Sequence, residues 1–123
     1  MVVDASAILS LVFAEPTDSW VRKQMKSHQG RLLVSTVTLA EILIVMRSRL
    51  GEDTLREESV IVNNDLSFEP PTIDHARIAA FARLKFPLNI GDCFVYALAL
   101  TEGQPILTLD QDFRKCDLPV LLP

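Results

Sequence analysis

Along the chain, short continuous apolar runs alternate with stretches in which apolar residues recur at helical spacing. Met1 to Asp4 is a short apolar strand ending in an acid. Ser6 to Phe13 reads as helical, and Glu15-Pro16-Thr17 breaks it. Thr17 is placed to cap a second helix running to about His28, and Gly30 ends that helix. Arg31 to Ser35 reads as a buried strand, and Thr36 to Leu50 as a strong amphipathic helix closed by Gly51. Thr54 to Asn64 is another helix, followed by a short strand, Ser67 to Glu69, before Pro70-Pro71. Asp74 caps a helix to about Phe86, Pro87 to Gly91 form a turn, and Asp92 to Glu102 is an apolar helix ended by Gly103. Ile106 to Leu109 is a strand, Asp112 to Lys115 a single turn, and Val120 to Leu122 a final strand. Such alternation predicts an α/β fold with a parallel sheet covered on both faces. In sheets of that kind, sites form at the carboxyl ends of the strands.

Composition fits a globular domain. The 123 residues are 49% apolar and 23% charged, far from the signature of disorder. The expectation is one domain over residues 1–123 with a core that needs no staples. Two cysteines, Cys93 and Cys116, make no disulfide framework and no zinc spacing. The longest stretch without a charge, Ala5 to Ala14, is ten residues, against about 20 for a membrane span. With no secretory leader pattern at the start, a soluble, cytoplasmic protein is expected. The net charge is −4, unevenly spread. Only basic charges occur from Ser19 to Ala40 and from His75 to Gly91, and seven acids lie between Glu52 and Asp74. Solvated helix faces account for that pattern unless the bases share a face, which the sequence does not show.

Three acids sit in unusual company. Asp4 is the only charge from Met1 to Ala14, Glu41 the only one from Val34 to Met46, and Asp92 the only one from Phe86 to Thr101. An uncompensated carboxylate in apolar surroundings is costly, so each needs a reason to be there. A helix N-cap would explain Asp4 or Asp92 alone. It does not explain Glu41, which lies mid-helix with Arg47 and Arg49 on the wrong face for a local pair. A fourth acid, Asp110, follows the strand Ile106 to Leu109 directly, with Asp112 two residues on. Together they suggest a shared pocket. Like charges 4 Å apart repel by roughly 4 kcal/mol at an effective dielectric of 20, so a pocket of carboxylates calls for protons or a cation. Oxygen ligands without His or thiolate select Mg²⁺ or Mn²⁺, and carboxylate-held magnesium usually works on a phosphate. Metal-assisted phosphodiester hydrolysis is the chemistry that follows, with one carboxylate free to take a proton from water.

Four segments carry a family likeness: Met-Val-Val-Asp-Ala-Ser-Ala at the start, Leu-Ala-Glu-Ile, Leu-Asn-Ile-Gly-Asp-Cys-Phe-Val-Tyr-Ala-Leu-Ala, and Ile-Leu-Thr-Leu-Asp-Gln-Asp-Phe. In that order, over essentially the whole chain, they resemble a PIN domain, and more narrowly the VapC-type ribonuclease toxins of prokaryotic toxin–antitoxin pairs. The resemblance implies a PIN-like α/β/α sandwich with a mostly parallel central sheet. It also implies a metal-dependent endoribonuclease. Asp4 and Asp92 carry over as principal Mg²⁺ ligands (Mn²⁺ substituting), Glu41 as the third acid, and Asp110 as the fourth, though Asp112 could take that place. Ser6 matches the small hydroxyl residue beside the metal. The implied partners are an RNA substrate, a second copy in a homodimer, and a small cognate VapB-like antitoxin laid across the active-site groove. Many relatives carry a basic Gly-rich loop ahead of the segment containing Asp92; here that connection is only Arg83-Leu84-Lys85-Phe86-Pro87.

Other residues have plainer readings. Cys93 reads as a small buried residue, and His28 and His75 as residues of polar helix ends. Trp20, Phe81 and Tyr96 fall at helix-core spacing and read as packing, while Arg114 and Lys115 lie either near phosphate or on an exposed turn. A phosphoacceptor receiver would need an acidic pair where Asp4-Ala5-Ser6 stands and a Lys after Ile106 to Leu109. A haloacid-dehalogenase-like phosphatase would need Asp at position 6. Both are disfavoured. A housekeeping RNA-processing nuclease and a non-catalytic PIN module remain as alternatives; the second typically loses one or more of the acids kept here.

Overall fold

The structure is a computed structural model that describes residues 1–62 and 65–123. Its centre is a five-stranded sheet in the order β3-β2-β1-β4-β5, with every neighbouring pair parallel. The strands are β1 (Val2–Val3), β2 (Leu32–Ser35), β3 (Leu66–Glu69), β4 (Ile106–Leu107) and β5 (Val120–Leu121). The helices are α1 (Ala5–Val12), α2 (Asp18–Ser27), α3 (Thr36–Leu50), α4 (Leu55–Val62), α5 (Ile73–Lys85) and α6 (Ile90–Glu102), and a 3₁₀ turn covers Gln111–Lys115. From β1 the chain builds outward through β2 and β3, then returns to add β4 and β5 on the other side. The sheet therefore reverses between β1 and β4, where α/β sheets place their ligands.

Two-residue periodicity explains why apolar runs became strands buried on both faces. Val2, Leu33 and Ile106 point into a core with α5 and α6, which contribute Ala79, Ala82, Val95, Tyr96 and Leu98. Their chain neighbours Val3, Val34 and Leu107 point the other way, onto Ile8, Val21, Ile42, Met46 and Ile61 from α1 to α4. The expected covering of both faces holds, and the sheet is parallel throughout.

Several boundaries moved, each for a local reason. Asn89, not Asp92, caps α6: its Oδ1 accepts from the Asp92 backbone N–H at 2.8 Å, so the helix starts inside the expected turn. Thr72, not Asp74, caps α5. Its hydroxyl accepts from the His75 N–H at 3.1 Å while His75 Nδ1 accepts from the Thr72 N–H at 3.2 Å, a capping box built with a histidine. Thr17 stands at the start of α2 without capping it, because its hydroxyl pairs with Ser10 Oγ at 2.8 Å. The α4 helix is described to Val62, and its expected end at Asn64 lies outside the described residues. The β4 strand ends at Leu107, although the Thr108 backbone N–H still donates to Leu121 O at 3.2 Å. Helix α3 buries a narrow line, Thr38, Ile42 and Met46, and leaves Ile44 68% exposed, so it is less amphipathic than expected. Phe81, expected in the core, is 50% exposed on α5 with Lys85 over its ring. Gly103 ends α6 in the left-handed conformation (φ 61°), and Gly51 follows α3 at φ 90°.

Candidate active site: carboxylates at the reversal of the sheet

Asp4 leaves the carboxyl end of β1 and is 3% exposed. It does cap α1, accepting from the Ser6 N–H at 3.4 Å. The cap is only part of its setting. Its Oδ2 also accepts from Ser6 Oγ at 2.7 Å and from Thr108 Oγ1 at 2.8 Å. These hydroxyls in turn accept from backbone: Leu109 N–H donates to Ser6 Oγ at 2.9 Å and Asp110 N–H to Thr108 Oγ1 at 3.0 Å. With both hydroxyl protons committed to Asp4, the 3.2 Å approach of Ser6 Oγ to Thr108 Oγ1 is a packing contact. The chain leaving β4 is thus stitched to the acid leaving β1. Burial raises the Asp4 carboxyl above its usual range, against the lowering effect of these bonds. Sequence reasoning found Ser6 but missed Thr108; its signal was a hydroxyl two residues before Asp110, at the end of an apolar strand run.

Asp92 lies in the first turn of α6, 6% exposed. Since Asn89 fills the cap, the Asp92 carboxylate is free to face the site. Burial pushes it up to about 7, helped by the charges of Asp4, Asp110 and Glu41 in that order. Glu41, from the middle of α3, is likewise raised by burial and then by Asp4. Its Oε1 is buried with no hydrogen-bond partner. The local arginines are engaged elsewhere, Arg47 with Glu58 at 3.5 Å and Arg49 with Glu15 at 3.8 Å. The charges that raise Glu41 and Asp92 are those of other carboxylates. Charge thus links Glu41 to Asp4, and Asp92 to Asp4, Asp110 and Glu41.

Of the two candidates for the fourth acid, Asp110 is the one whose charge raises Asp92. Its Oδ1 accepts from the Asp112 N–H at 2.9 Å; Asp112 itself is exposed. Among the described residues, no three His, Cys, Asp or Glu close on one point in metal-holding geometry. Cys93 is buried with its Sγ towards Leu88 O (3.8 Å), and burial raises its thiol. His28 is occupied with the chain's amino group at 2.7 Å, and His75 is buried between Thr72 and Thr101. Arg114 turns to Gln111. A cavity of about 470 Å³ lies away from the acids, among Leu11, Val12, Met25, Lys26, Ile61 and Leu66. Asp4 and Asp92 are buried, and Glu41 and Asp110 are half-buried.

Fold and site together define an α/β domain with clustered acids at its switch point, the architecture of a PIN domain. The PIN-domain family model matches residues 1–118. Ribonuclease VapC30 of Mycobacterium tuberculosis is 33% identical over 132 aligned positions, covering all of both chains. Ribonuclease VapC of Mycolicibacterium smegmatis is 32% identical, covering 96% of this chain and 97% of that one. Among solved structures, M. tuberculosis VapC20, a toxin that cleaves the sarcin–ricin loop, superposes with a TM-score of 0.82 at 16% identity, covering 99% of this chain and 98% of that one. That last likeness shows the fold. The chain belongs to the PIN-domain family, among the VapC ribonucleases.

Proposed function

We propose that this chain is a Mg²⁺-dependent endoribonuclease, the toxin of a toxin–antitoxin pair, with Mn²⁺ able to replace Mg²⁺. The observation that carries it is the set of carboxylates whose charges bear on one another, Asp4, Asp110 and Glu41 on Asp92, with Glu41 against Gly91 beside it. Family membership points the same way, since the relatives are named as ribonucleases.

The residues fit a hard divalent cation on two counts. The donors are all carboxylate oxygens, and Glu41 Oε1 is a buried acceptor without a partner. Asp4, Asp92, Glu41 and Asp110 are the residues that would hold it, and magnesium held by carboxylates keeps several of its waters. When bound, the cation supplies neutralisation of the phosphate oxygens and a more acidic water. The chain's own residues do the rest. Ser6 and Thr108 fix Oδ2 of Asp4. Asn89 holds the turn that carries Asp92. Glu41, with an oxygen uncommitted, accepts the proton of the attacking water. The new P–O bond forms to that water as the bond to the leaving sugar oxygen breaks, and the sugar oxygen takes a proton from solvent.

The same proposal places the protein in the cytoplasm as one PIN unit over 1–123, restrained by a small VapB-like antitoxin across the acid face, and paired as a homodimer. No helix among the described residues is long and apolar enough to cross a membrane. Two copies would cover some of the apolar side chains now exposed, such as Phe81, Leu84 and Ile90.

Purified protein mixed with structured RNA tests the reading. Cleavage should require Mg²⁺ or Mn²⁺, stop with EDTA, and fall at least 100-fold in Asp4→Asn. Cleavage undiminished by chelator, or by Asp4→Asn, would refute it.

A further inference from the structure

We infer that Gly91 is a positioning residue for Glu41, and that the missing side chain at 91 is what seats the third acid in the cluster. Glycine is a poor helix former, yet Gly91 lies within the first turn of α6. Its backbone gives no reason for the choice, since the positive-φ glycines are Gly51 and Gly103. Space gives the reason. A Cβ at position 91 would stand 2.6 Å from Glu41 Cδ, 2.6 Å from Oε2 and 2.7 Å from Oε1, all far inside contact distance. At Gly51 and Gly103 a Cβ would meet nothing within 4 Å. The whole Glu41 carboxyl group therefore rests on the bare Cα of α6, one residue before Asp92. Nothing else fixes it there: Oε1 has no hydrogen-bond partner, and no ion pair among the described residues includes Glu41. Since the obstructed atoms are the far end of a flexible side chain, a methyl at 91 displaces Glu41 and leaves the helix packing in place.

The catalytic consequence rests on the proposed function; the steric coupling does not. Gly91→Ala, Glu41→Ala and the double variant are compared by thermal unfolding, with and without MnCl₂, and by RNA cleavage. In the wild-type background, Gly91→Ala should keep the fold, lower kcat more than 10-fold with KM for RNA little changed, and shrink the Mn²⁺-induced rise in Tm. In the Glu41→Ala background the same substitution should raise Tm, as alanine does in a helix without a clash, and cost no further activity. A Gly91→Ala protein with wild-type kcat and Mn²⁺ response would overturn the inference. So would a loss of Tm, or of folding, that is equal in both backgrounds. If wild type itself neither cleaves RNA nor responds to Mn²⁺, the proposed function fails, while a Tm change on Gly91→Ala that is less favourable with Glu41 present than in the Glu41→Ala background still decides the positioning role.

Discussion

Asp92 is the residue at which the cost of the cluster is concentrated. An aspartate ordinarily titrates near 3.8; here burial and three neighbouring carboxylates bring it to about 7. Between those values the folded state holds a proton that the unfolded state has released. Stability therefore falls as pH rises through that window and levels off above about 7. At about 1.4 kcal/mol per pKa unit the penalty has a ceiling near 4 kcal/mol, reduced by whatever water reaches the site. Because the acids are coupled, the titration belongs to the cluster as much as to Asp92. In metal-free buffer, Asp92→Asn should therefore raise Tm by several degrees at pH 8, with the gain shrinking towards pH 5, and with Mg²⁺ present the variant should not cleave RNA. A Tm difference that does not change with pH would separate Asp92 from the other acids. Legibility at this scale followed the physics of charge. Asp4, Glu41 and Asp92 stood out because a lone carboxylate in an apolar run is expensive. Thr108 and Gly91 did not, because a hydroxyl in a strand or a glycine near a helix start has many cheaper explanations.

At the scale of elements, the sequence periodicities located every strand and helix but misplaced several starts. The error at α6 is instructive. Asp92 and Asn89 are both good caps, and both precede the apolar run, so composition alone does not choose between them. The structure gives the cap to Asn89 and thereby frees Asp92 for the site. The cap at α5 was hidden for a different reason: a histidine takes the place usually held by Glu or Gln in the reciprocal pair. Asn89→Ala should cost about 1 kcal/mol of stability, a fall of several degrees in Tm. It should also weaken Mn²⁺ binding, because the turn it holds carries Asp92. A normal Mn²⁺ response at lowered stability would show that the cap serves the fold alone.

For the whole molecule, the sheet order explains how residues 106 positions apart in the chain come to share a site. Asp4 exits β1 and Asp110 follows β4, the neighbouring strands on either side of the reversal, and Glu41 of α3 lies against Gly91 of α6, one residue before Asp92. Alternating apolar runs predicted a sheet covered on both faces, and the division of Val2 from Val3 between the two cores is that prediction realised. The strand order itself was not legible, because strands of two residues carry too little pattern to reveal their neighbours. A crystal of the protein soaked in MnCl₂ and measured for anomalous scattering tests the central claim most directly. The expected result is a manganese peak in the space bounded by Asp4, Glu41, Asp92 and Asp110, absent in Asp92→Asn. Manganese bound only elsewhere, or a site left empty at saturating MnCl₂, would contradict the account.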